Sequence, residues 1–377
     1  MNKRALAFIL PLIISFNSIS QPIESFLETC KSRFEKTLYI PSINVCKKMM
    51  QANNKSQDAV FCMGKAYYGA GKLDSALLFL DNAIQINAAF NEALITRGFV
   101  RSVSENYAGA HEDFAKVLRL SPGDSNVNFF NGYAYFSSKN YKEAINEFDL
   151  AQKVNPNDED AYIKKCEAKG FLKDYPNALK DISASISRFP QSSRAYNARG
   201  HIKYKMKDFP GAIQDYSKAI ELAPNDSKSN LYEYYNNRGN AKSEASDNKG
   251  SIADLTSAIQ LIPNKVQAYN NRGVAKTFMN DFKGAYEDYN KVIELTPNEP
   301  SAYQNRAQIR MELKDYKGAL EDFNSALKMN PKESAAFYYR GQCKIMLKNK
   351  QAACDDFRSA LHFGMKEALE DINKICK

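Results

Sequence analysis

The chain has 377 residues, 52 basic against 43 acidic side chains, three histidines and no tryptophan. A formal net charge of +9 is compatible with acidic partners but too modest to argue for nucleic acid. Beyond the first twenty residues no stretch is apolar enough to cross a membrane.

The N-terminus reads as an export signal. Lys3 and Arg4 form a charged start, Ala5 to Phe16 an apolar run broken by Pro11, and Ser18 and Ser20 stand as small residues before Gln21. The apolar run is well short of the ~20 residues that a membrane helix needs. The reading is therefore a signal peptide at 1–20 and a periplasmic or extracellular location, with no transmembrane segment left after its removal. In that setting the seven cysteines can be oxidised.

A 34-residue period organises the rest. With Val266 as position 1, position 8 is Gly273, position 20 Ala285, position 24 Tyr289 and position 32 Pro297. Residues 21–56 fit this register weakly, with Phe26 at position 4, Cys30 at 8 and Cys46 at 24. They read as a degenerate helical pair that caps the first regular unit.

Nine units span residues 57–365, starting at Gln57, Asn91, Ser125, Glu159, Ser193, Tyr232, Val266, Pro300 and Ser334. One step carries five extra residues between Pro224 and Tyr235. Each unit reads as two helices. Positions 4, 8 and 11 form one apolar stripe and positions 20, 21, 24, 27 and 28 a second, both at helical spacing. Asn or Asp at position 16 caps the second helix in eight units, Asn106 to Asn349. Small residues at 8 and 20 let the two helices approach, and the large residue at 24 fills the space beside them. Lys366–Cys376 reads as one more amphipathic helix that closes the stack, giving a capping segment at 366–377.

These residues resemble a tetratricopeptide-repeat protein over residues 57–365. The resemblance implies an all-α, right-handed superhelical solenoid of about nine helix pairs with terminal capping helices. It also implies a concave face lined by the first helices, where partners bind.

No catalytic, metal or cofactor motif is present: no C-x-x-C, H-E-x-x-H, P-loop or G-x-S-x-G occurs, and His111, His201 and His362 fall on different positions. The expected function is a non-catalytic scaffold that binds a protein or an extended peptide. Position 7 is Arg in six units and position 23 is acidic in eight, such as Arg272 and Asp288. In an antiparallel pair these positions lie opposite, so an ion pair within each hairpin accounts for the arginines. The alternative is a ladder that binds acidic polysaccharide or another polyanion, helped by Lys or Arg at position 11.

Two sets of site residues stand out. Cys30 with Cys46, and Cys354 with Cys376, stand where antiparallel neighbours would bring sulfurs together. Cys62 and Cys343 are the competitors, and Cys166 is expected to be a free buried thiol. The second set is amides on first helices: Asn236, Asn237, Asn240, Asn270, Asn271, Gln304, Asn305 and Gln308. Asn is a poor helix former, and an amide offers both a donor and an acceptor. The run at position 6 is similar to the asparagine ladder with which O-linked N-acetylglucosamine transferases hold peptides. The same amides could instead bond to the next repeat.

Overall fold

A computed structural model of the chain describes residues 40–52, 56–224 and 226–376. Among the described residues there are twenty helices and no strand. They are α1 (Ile43–Ala52), α2 (Gln57–Gly69), α3 (Leu73–Ile86), α4 (Asn91–Val103), α5 (Tyr107–Leu120), α6 (Ser125–Ser137), α7 (Tyr141–Val154), α8 (Glu159–Phe171), α9 (Tyr175–Arg188) and α10 (Ser193–Lys205). Next along the chain are α11 (Phe209–Glu221), α12 (Lys228–Glu244), α13 (Asn248–Leu261), α14 (Val266–Phe278), α15 (Phe282–Leu295), α16 (Pro300–Glu312), α17 (Tyr316–Met329), α18 (Ser334–Met346), α19 (Lys350–His362) and α20 (Ala368–Ile375). The chain forms two compact units, one ending at Ile202 and the other starting at Lys203. In each, successive helices pack as antiparallel neighbours in an all-α solenoid.

The hairpins are built from three repeated devices. The first is the turn. Position 15 is left-handed in every hairpin: Gly71, Glu105, Lys139, Lys173, Lys207, Ser246, Asn280, Lys314 and Lys348 all have φ between 58° and 72°. The next residue then donates its backbone N–H back to the carbonyl of position 11, as from Asp281 to Lys276 at 2.9 Å. That is the closure of a Schellman turn. The second device is the cap. The side chains of Asn106, Asp208, Asp247, Asp281, Asp315 and Asn349 accept the backbone N–H three residues on.

The third device is close approach at position 8. A Cβ built on Gly273 would lie 2.9 Å from Tyr289 Cζ, and on Gly98 2.8 Å from Phe114 Cε1. The residue at 24 therefore occupies the volume that glycine vacates. Tyr289 and Phe114 are fully buried, as are Ala285 and Ala110 at position 20. The five-residue insertion is largely absorbed as helix: α12 has 17 residues where other first helices, such as α14, have 13.

Of residues 21–56, expected to form a capping helical pair, the structure describes α1; residues 1–20, read as a signal peptide, and Cys30 lie outside the described residues. At the other end α20 begins at Ala368, 34 residues after the start of α18, so it stands where a further first helix would begin.

Candidate functional site

In the hairpins that carry charges at positions 7, 11 and 23, these residues form a closed set; the first hairpin has Met63, Tyr67 and Phe79 there instead. Arg272 donates Nη2 to Asp288 Oδ1 at 2.6 Å and Nε to Asp288 Oδ2 at 3.0 Å. Its Nη1 reaches Thr256 Oγ1, at position 25 of the preceding unit, at 3.0 Å. Lys276 at position 11 pairs with the other oxygen of Asp288 at 2.9 Å. The same set recurs as Arg306 with Asp322, Asn290 and Arg310, and as Arg340 with Asp356, Asn324 and Lys344. Arg97 likewise binds Asp113 and reaches back to Asp81. Position 25 varies in type, so this second contact of the arginine left no signal in the sequence.

Where position 4 is aromatic the guanidinium also lies over that ring, at 5.7 Å for Arg272 over Tyr269 and 5.8 Å for Arg306 over Tyr303. The arginine thus joins its own hairpin and ties it to the one before. The cations on which a polyanion ladder would depend have internal acidic partners.

The third hairpin departs from the pattern. Asn131 and Tyr135 replace the two cations, Asn128 Nδ2 donates to Glu147 Oε2 at 3.1 Å, and His111 Nδ1 meets Asn131 Oδ1 at 2.6 Å. His111 also stacks on Tyr135, ring centroids 3.8 Å apart. By position in the repeat alone, His111 looks isolated. The loss of both cations while the acid at position 23, Glu147, is kept was the signal that could have found this cluster.

The amides gather on the first helices α12, α14 and α16, in the compact part of the chain that starts at Lys203. Asn271 Nδ2 donates to Asn236 Oδ1 at 3.1 Å, and Asn305 Nδ2 to Asn270 Oδ1 at 3.1 Å. Position 6 of one repeat is thus bonded to position 5 of the one before. Asn236, Asn270, Asn271, Gln304, Asn305 and Gln308 are buried, whereas Asn237 and Asn240 are half-buried.

The bonding does not use up the amides. Asn236 Nδ2, Asn305 Oδ1 and both amide atoms of Gln308 are buried without a partner. Buried polar groups are paired in the great majority of cases, so four orphan atoms on one face are a concentration that calls for a cause. The compact part that ends at Ile202 differs: the corresponding positions of α4 and α6 carry Phe99, Phe129, Phe130 and Tyr133. Phe99 packs on Phe130 at 5.3 Å and on Tyr133 at 6.0 Å.

The cysteines correct one expectation. Cys46 is bonded to Cys62, not to Cys30, across α1 and α2 with Cα atoms 5.4 Å apart. The reason lies in the repeat geometry. Cys46 and Cys62 are 16 residues apart, the separation at which a second helix meets the next first helix, as in Asp81 and Arg97. Cys354 and Cys376 form a second bridge, Cα atoms 5.6 Å apart. Cys166 and Cys343 are free and buried. Burial pushes both thiols up, that of Cys343 to about 12. No group of three or more metal-ligating side chains is found among the described residues, and no described helix is long and apolar enough to cross a membrane.

Three family models, each described as a tetratricopeptide repeat, match the chain: one at residues 193–226 and 300–333, one at 104–165 and one at 266–299. No curated protein matches it. Among solved structures it is similar to the Cut9–Hcn1 hetero-tetramer of the APC/C, at 12% identity and a TM-score of 0.52, over 85% of this chain and 76% of that one. It is also similar to the C-terminal part of a TPR repeat-containing protein from Cytophaga hutchinsonii. That match has 20% identity and a TM-score of 0.51, over 64% of this chain and 98% of that one. At these identities the likeness concerns the fold.

Proposed function

We propose that this chain, which belongs to the tetratricopeptide-repeat family, is an exported, non-catalytic scaffold. It holds a partner protein by an extended peptide laid along the first helices α12, α14 and α16. The observation that carries this reading is the row of first-helix amides, in which Asn236, Asn305 and Gln308 keep hydrogen-bonding capacity that a ligand uses once their buried side chains turn outward. A peptide backbone presents alternating N–H and C=O groups whatever its side chains. Amides that already bond to one another from repeat to repeat, and keep a donor or an acceptor spare, suit that ligand. Arginine is a poor alternative reader here, because Arg238, Arg272 and Arg306 are each bound to a buried aspartate.

Two cystine bridges accord with export, since such bonds persist in oxidising compartments. Neither nucleic acid nor acidic polysaccharide is the proposed ligand.

Selection from a random 12-residue peptide display library on the full chain tests the reading. Enriched peptides are expected to bind with shallow dependence on salt, because the contacts are neutral amides, and to be recovered intact after incubation. A library that does not enrich, or binding abolished by moderate salt as expected for exposed charge pairs, would count against it.

A further inference from the structure

We propose that α20 is a disulfide-tethered cap on the ninth first helix, α18, and that a dithiol reductant releases it to uncover Tyr338, one helical turn from Gln342. These two residues are positions 5 and 9 of their unit, equivalent to Gln304 and Gln308 one repeat earlier. They are a further rung of the amide face, and both are half-buried.

Three observations place the cap there. Ala368 of α20 is fully buried, and Ile372, Ile375 and Cys376 pack with Phe337, Tyr338 and Phe357. Tyr338 lies against Phe357, centroids 5.8 Å apart. Its phenol is held well above the ordinary tyrosine range by burial and then by a hydrogen bond with Asp371 of α20. The cap is also weakly held apart from its bridge. It has eight residues, too few for a helix that stands alone in water, and Leu369 on its outer side is 50% exposed. The Cys354–Cys376 bond is the covalent tie that keeps it in register.

The chemistry is thiol–disulfide exchange. Cys354 is buried and Cys376 half-buried, so the reductant's thiolate attacks the Cys376 sulfur. The Cys354 sulfur leaves as a thiolate and takes up a proton. The reductant's second thiol then displaces Cys376, which leaves as a thiol. The dithiol ends as a disulfide, having given up two electrons and two protons, and Cys354 and Cys376 end reduced.

The consequence for binding, a longer peptide face in the reduced protein, rests on the peptide-holding reading. Release of the cap does not, so its test needs no peptide. Hydrogen exchange is followed in the full chain with and without dithiothreitol, and in the Cys376→Ser variant without it. Spectrophotometric titration of each sample against the same sample of Tyr338→Phe isolates the Tyr338 phenol. Breaking the bond by either route is expected to speed exchange over 368–375 at least tenfold and to bring Tyr338 down toward its ordinary value of about 10, leaving α14 unchanged. Exchange over 368–375 within twofold of the oxidised protein overturns the proposal. So does a rise that spreads equally to α14, and so does a Tyr338 that titrates normally while the bond is intact.

Discussion

Arg272 grips both oxygens of Asp288 while its remaining nitrogen reaches Thr256 on the preceding hairpin. Asp288 has a side-chain exposure of 3%, so its carboxylate is paired with Arg272 and Lys276 rather than with water. Breaking a buried pair costs ~3–5 kcal/mol because the remaining charge stays buried. Asp288→Ala strands two cations and is expected to lose stability of that order in denaturant titration, with faster hydrogen exchange in both α14 and α13. A loss confined to α14 and α15 would mean that the contact to the preceding hairpin carries no energy.

Gly273 sits under the ring of Tyr289, yet the eighth unit carries Ala307 at the same position above Phe323. A methyl group is therefore tolerated when the ring gives slightly. Gly273→Ala is expected to cost less than ~1 kcal/mol and Gly273→Leu ~1–3 kcal/mol or more by overpacking. Because repeats couple to their neighbours, the damage from Gly273→Leu should be read by hydrogen exchange near α14 and leave α2 untouched. Equal exchange gains in both would contradict the account.

Lys314 holds φ at 64°, a conformation that costs an L-residue roughly 1 kcal/mol or more. Glycine accepts it freely, at a smaller cost in unfolded-state entropy. Lys314→Gly is thus expected to stabilise the chain by up to ~1 kcal/mol. A lowered Tm would show that the lysine side chain contributes more than its backbone strain.

The buried thiol of Cys343 is pushed up to about 12 by burial, from an ordinary value of 9.0. The folded state therefore keeps a proton that the unfolded chain releases first. The stability this contributes is complete below the unfolded value and is lost as pH rises toward 12. Against Cys343→Ala, the wild type is expected to lose on the order of 1.4 kcal/mol more per pH unit across that window. Parallel stability curves for the two proteins would mean that the thiol is not shielded.

The 34-residue period was legible because one tight contact is rebuilt in each unit, small residues at 8 and 20 under a large one at 24. The pair of Arg272 with Asp288 was legible for the same reason, since both partners keep their type from unit to unit. The left-handed turn was not. Lys314 and Lys348 occupy it without the glycine that usually marks such a position, because the Schellman closure holds them there. The contact from Arg272 to Thr256 was hidden by the changing residue type at position 25.

The partner of Cys46 was not legible from the pairing of helices within a unit, because the bond runs from one unit to the next. The amide face was legible as a row of residues. Which of its atoms are spent between repeats and which are spare depends on side-chain geometry that spacing does not contain. That geometry also changes how the row should be tested. Asn271 and Asn305 hold their neighbours' oxygens, so removing them would unsettle the stack as well as any ligand.

Gln308 separates the two effects, since neither of its amide atoms is bonded within the chain. Replacing a buried, unpaired amide by an apolar group of similar size is neutral or stabilising for the fold. The decisive measurement titrates peptides enriched on the wild type against Gln308→Leu, alongside denaturant unfolding of both proteins. The expected result is unchanged or higher stability together with affinity reduced about tenfold, as the loss of one or two neutral hydrogen bonds implies. Equal affinities for the two proteins would contradict the claim that the amides of α12, α14 and α16 hold the peptide.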